Sequence, residues 1–73
     1  MARVILVERG LLTDEERVQL ATCIAIRECA LIRIDRGEAR ELAVYEAPST
    51  ERVRESHHSA GVAFERAWPA DET

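Results

Sequence analysis

At 73 residues the chain has room for one domain with a thin core, where a metal, a disulfide or a second subunit commonly supplies the missing stability. Ten basic and fourteen acidic side chains give a net charge of −4, with arginines interleaved among glutamates, which argues against the basic stripe of a nucleic-acid binder. Only two cysteines are present, Met1 to Val7 lacks a signal-peptide pattern, and no apolar run reaches about 18 residues; a cytoplasmic protein with reduced thiols and no membrane partner is expected.

The first segment, RVILVE from Arg3 to Glu8, is short, apolar and rich in branched residues, which predicts a central strand covered on both faces. In the TDEE that follows, Thr13 is placed to cap a helix beginning at Asp14. Glu16 stands three residues on as its capping-box partner, and Asp14 and Glu15 lie where the helix dipole favours negative charge. Val18, Ala21, Ile24 and Ala25 recur at helical spacing. Cys23 to Ile26 is apolar all round, so periodicity allows an end near Thr22 or near Arg27.

ALIRID and ELAVYEA then flank Asp35 to Ala39, a polar linker containing Gly37, and together they predict a β-hairpin. Ala30, Ile32 and Ile34 share one face of the second strand; in the third, Leu42 and Val44 oppose Ala43, Tyr45 and Ala47. Pro48 ends that strand, Ser49 is an N-cap, Glu51 falls in the first turn, and Gly61 suits the left-handed position after a helix from about Thr50 to Ala60. A fourth strand is expected in VAFERAW, Val62 to Trp68, before Pro69 and an acidic end.

The order β-α-β-β-α-β predicts an α+β, ferredoxin-like split βαβ fold: a four-stranded antiparallel sheet with two helices on one face. One domain over residues 1–73 is expected, with a flexible tail from about residue 69. If both helices cover one sheet face, the other is expected to expose Tyr45, Ala43 and Leu31, and a homodimer would cover it.

His57 and His58 are the only histidines. Val53, His57 and Ala60 fall on one helical stripe, so His57 is expected to face the core and His58, turned by about 100°, the flank. The positions four before and three after either histidine hold Val53, Arg54, Ala60 and Gly61, so a metal site would need donors from elsewhere in the fold or a second subunit. Cys23 and Cys29 are too far apart in sequence for a zinc knuckle and are expected to be small core residues. Ser49, Ser56 and Ser59 lack a nucleophile-elbow context, and Glu51, Arg52, Arg54 and Glu55 read as intrahelical charge pairs. Tyr45 and Trp68 are the polar-tipped aromatics, suited to lining a pocket or to packing.

VYEAPSTERVRESHHSAGVAFERAW, from Val44 to Trp68, resembles the small nickel-responsive, ferredoxin-like family, otherwise described as a domain of unknown function. In that family a strand ending in tyrosine and AP leads into a helix bearing RE.H..AG, and VILVER resembles its first strand. The resemblance implies a ferredoxin-like homodimer that binds nickel through histidines and a cysteine of the second and third strands and nearby elements. Here the strand positions fall on Ala43 and near Leu31, so His57 is the matching ligand, with His58 and Cys29 as the remaining donors for the metal. The function expected is therefore a small homodimeric metal-binding protein. Its alternative is a small dimeric enzyme or accessory protein that binds an organic ligand near His57, with that histidine as general acid or base.

Overall fold

The computed structural model describes residues 2–35 and 37–71. The elements are β1 (Arg3–Gly10), α1 (Asp14–Ala21), β2 (Arg27–Asp35), β3 (Ala39–Ala47), α2 (Thr50–Ala60) and β4 (Arg66–Pro69). All strand pairs are antiparallel, and the sheet order is β2-β3-β1-β4. This is the α+β ferredoxin-like arrangement expected from the element order.

The helix ends form as their sequences dictate. Thr13 accepts a hydrogen bond from the Glu16 N–H while the Glu16 carboxylate accepts from the Thr13 N–H, closing the capping box. The Ser49 hydroxyl accepts from the Arg52 N–H at the start of α2. At its other end Gly61 adopts φ 71°, and the Gly61 and Val62 N–H groups donate to the His58 and His57 carbonyls, a Schellman motif that fixes the last turn. Within α2, Arg54 pairs with Glu51, as the charge spacing predicts.

Several boundaries move. α1 stops at Ala21, the earlier of its two expected ends, and its apolar spacing does not mark its buried face: Val18 is 63% exposed and Ile24 fully so, and only Leu20 of the helix is buried. β2 starts at Arg27 and β3 at Ala39, each earlier than its apolar run, because charged residues Arg27, Glu28 and Arg40 continue the ladder. β4 shrinks to Arg66–Pro69, its Ala67 paired with Val7. The Ala70 N–H still donates to the Val4 carbonyl, so the chain stays on the sheet past Pro69, where a tail was expected; Glu72 and Thr73 of that tail lie outside the described residues.

Both helices cover the sheet face built from Ile5, Val7, Ala43, Tyr45, Ala47 and Ala67, and Val53 and Leu20 close the core from above. Tyr45 and Ala43, expected on the open face with Leu31, thus lie inside; Leu31 pairs with Ala43 on the same helix side, at the sheet's edge. The open face carries instead Val4, Leu6, Ala30, Ile32, Ile34, Leu42, Val44 and Trp68. Alternation assigns each strand two sets of side chains, and here the larger aliphatics of β3 point outward, opposite to the choice their bulk invites. β1 is central, as expected, but in the single chain only one of its faces is covered: Ile5 and Val7 are fully buried, whereas Val4 is 45% exposed.

Candidate functional site

Arg9 ends the inward row Ile5, Val7, Arg9 of β1, and its register partner on β3 is Glu41. Both are only 1% exposed. Their pairing follows from the strands: the inward positions that bury aliphatics in the middle of the sheet carry opposite charges at its end. The Arg9 Nε and Nη2 both lie 2.9 Å from Glu41 Oε2, and Arg17 of α1 donates to the other carboxylate oxygen at 2.7 Å. Arg9 Nη1 donates to the Tyr45 hydroxyl at 2.8 Å and to His57 Nε2 at 2.7 Å. Its Nη2 also reaches Glu28 of β2, at 3.4 Å, a long and half-exposed contact. One guanidinium therefore ties together β1, β2, β3 and α2.

The same geometry fixes the state of His57. A guanidinium can only donate, so Nε2 accepts and carries no proton; Nδ1 faces the Val53 carbonyl at 2.8 Å, which can only accept, so Nδ1 holds the hydrogen. The ring is fully buried, with Tyr45 and Phe64 packed edgewise at centroid distances of 5.7 and 5.2 Å. Burial pushes the His57 pKa down, the nearby Arg9 charge and His58 adding to this against the opposing Val53 hydrogen bond. Burial alone would raise Glu41, but hydrogen bonds from Arg17 and Arg9 outweigh it and hold that carboxyl below its usual range.

These shifts set a pH dependence. The folded state resists protonating His57, so its contribution is complete above the unfolded histidine value of about 6.5 and is lost as pH falls through that value towards the depressed folded one. Glu41 acts in the same sense at lower pH, below the ordinary carboxylate range. Urea midpoints should therefore fall between pH 7.5 and pH 5.5, and in His57→Gln the drop over that window should shrink. An unchanged slope in that variant would assign the effect to other groups.

The structure separates the three residues expected to share a metal. His57 has both ring nitrogens engaged. His58 is exposed and packs edgewise on Phe64. Cys29 lies on the sheet's edge at a bulge between Glu28 and Ala30, exposed, its sulfur 3.3 Å from Glu46. Desolvation and the Glu46 carboxylate push that thiol's pKa up, away from the thiolate a metal takes. Of the two cysteines expected in the core, Cys23 is half-buried against it and Cys29 is outside it, because the bulge turns Cys29 out of the inward row. No cluster of three or more His, Cys, Asp or Glu side chains suited to a metal occurs among the described residues.

What the structure does bring together is a cleft of about 100 Å³ beneath α1. Leu12, Leu20 and Ile26 form its apolar wall, and Arg9, Arg17, Glu28 and Tyr45 its polar side. Of these only Tyr45 was singled out from sequence. Alternation puts Arg9 in the row of Ile5 and Val7 without saying that a charge there is buried, and neither Arg17, on α1, nor Glu28, displaced by the bulge, carries such a signal. Trp68, the other polar-tipped aromatic, lies on the open face under Arg66 at 4.6 Å. No family model, curated protein or solved structure matches the chain.

Proposed function

We propose that the chain is a homodimeric binding module that takes a small organic ligand in the cleft beneath α1, floored by the Arg9 cluster. The observation that carries this reading is a fully buried guanidinium with four side-chain partners, two of which, Tyr45 and Glu28, line a solvent-accessible cleft. Burying ions costs several kcal/mol per group unless they are fully paired, so such a cluster is poor value for stability alone. Placed at a cleft, it holds polar groups rigidly for a ligand.

Self-association is supported by the open face, where Val4 and Ile32 are 45% and 51% exposed amid half-buried Leu6, Leu42, Val44 and Trp68. Arg27–Glu46 and Arg40–Glu65 pairs border this apolar surface, the rim-and-core pattern of an interface. No helix among the described residues is long and apolar enough to cross a membrane, and the reading places the protein in the cytoplasm with both thiols reduced.

Nickel is the competing occupant. A nickel ion at His57 Nε2 would have to displace Arg9 and sit beside its positive charge, so organic ligation is the reading the geometry favours. The test is a paired titration by calorimetry and thermal shift, with nickel and with a small organic fragment set, on protein carrying no histidine tag. Fragment-dependent stabilisation without nickel heat is expected. Nickel heat on the native protein that disappears in His57→Ala would reverse the assignment.

A further inference from the structure

We infer that the cleft beneath α1 accepts a short-chain monocarboxylic acid, its carboxylate taken by the Tyr45 hydroxyl and Arg17 in place of the Glu28 carboxylate; this rests on the ligand-binding reading above. Tyr45 is 3% exposed and lines the cleft. Its oxygen accepts from Arg9 Nη1, a partner that can only donate, so among the described residues the phenolic proton has no acceptor of its own. A buried donor without an acceptor at a cleft wall calls for an acceptor from outside.

Charge narrows the choice. Arg9 and Arg17 face one fully buried carboxylate, Glu41, which leaves one positive charge over. Glu28 balances it only loosely: its carboxylate is 43% exposed and 3.4 Å from Arg9 Nη2, on an edge strand at a bulge. Arg17 spends one nitrogen on Glu41 and is 37% exposed, so the rest of its fork is available to a second carboxylate. A ligand carboxylate restores the same balance with better geometry as Glu28 swings into solvent. A cationic ligand would meet two guanidinium groups, and a neutral one would form no charge-assisted pair with Arg17. The cleft, about 100 Å³, is smaller than the cavity of about 150 Å³ that admits benzene, so the acid is of butyrate size, its alkyl chain against Leu12, Leu20 and Ile26.

The test is an amide NMR titration with butyrate, butyramide and butylamine on the native protein, Glu28→Gln and Tyr45→Phe. Butyrate should shift the amides of Arg17, Leu20 and Tyr45 saturably and bind more tightly than the other two probes. Glu28→Gln should tighten butyrate by about threefold, because a competing like charge is removed. Tyr45→Phe should weaken it by about tenfold, the loss of a hydrogen bond to a charged group. Should Tyr45→Phe fail to fold, the exposed Glu28→Gln variant decides alone. Tighter binding of butyramide or butylamine, or weaker butyrate binding in Glu28→Gln, would overturn the carboxylate assignment while leaving the cleft as a binding site. Saturable shifts from none of the three probes would overturn both.

Discussion

Arg9→Ala should cost about 3–5 kcal/mol of stability, because it leaves the buried Glu41 carboxylate with the half-exposed Arg17 as its remaining ion-pair partner and strips the His57 and Tyr45 acceptors of their donor. For a chain of 73 residues the whole stability is on the order of 4–11 kcal/mol, so this variant should sit at the edge of folding at room temperature. The contrasting variant is the double substitution Arg9→Met with Glu41→Leu, which removes both charges and keeps the volume. It should be far milder than Arg9→Ala, since replacing a buried pair by apolar groups is often neutral or stabilising. Urea denaturation of the three proteins measures both effects. If the double variant is as unstable as the single one, the cluster's other contacts, to Tyr45, His57 and Arg17, carry the fold.

The second large effect concerns assembly. Val44 lies on β3, next to the centre of the sheet, with Leu6 of β1 and Ala30 of β2 as its register partners on the open face. In a face-to-face homodimer each substitution counts twice, so Val44→Lys should bring two buried cations into a surface that must be desolvated. Sedimentation equilibrium at micromolar concentration should give the native protein twice its 8.2 kDa chain mass, and Val44→Lys 8.2 kDa with unchanged helix content. A native protein that sediments as a monomer, or a dimeric Val44→Lys, would remove the open face as the interface.

The parts of the fold governed by short-range chemistry were legible. Thr13 with Glu16, Ser49, and Gly61 in the left-handed conformation all act within one helical turn of themselves, and each stands where its residue type demands. The inward aim of His57 was legible for the same reason, since Val53 and Ala60 share its stripe. The two sides of β3 were separable by alternation, but their destinations were not. Leu42 and Val44 against Ala43 and Tyr45 offers no local clue to which set the helices will cover. That choice depends on packing across the whole sheet.

The candidate site was hidden for a different reason. An isolated arginine or glutamate gives no sign that it will be buried, because burial becomes tolerable only once its partner is opposite it in register. Arg9 and Glu41 are separated by 32 residues, and only the β1–β3 pairing brings them together. The bulge at Cys29 was equally out of reach: nothing in RECALI announces an extra residue, yet it turns the thiol away from the inward row and sets Glu28 beside Arg9.

The most direct test of the Arg9 cluster, and of its hold on His57 against nickel, is the nitrogen spectrum of the His57 ring, followed from pH 7.5 to 5.5 with and without nickel. The geometry requires one neutral tautomer, with the proton on Nδ1 and an unprotonated Nε2 held by Arg9. That tautomer should persist below the ordinary histidine range and be untouched by nickel. A ring that protonates near 6.5, carries its proton on Nε2, or broadens selectively at low nickel occupancy would contradict it.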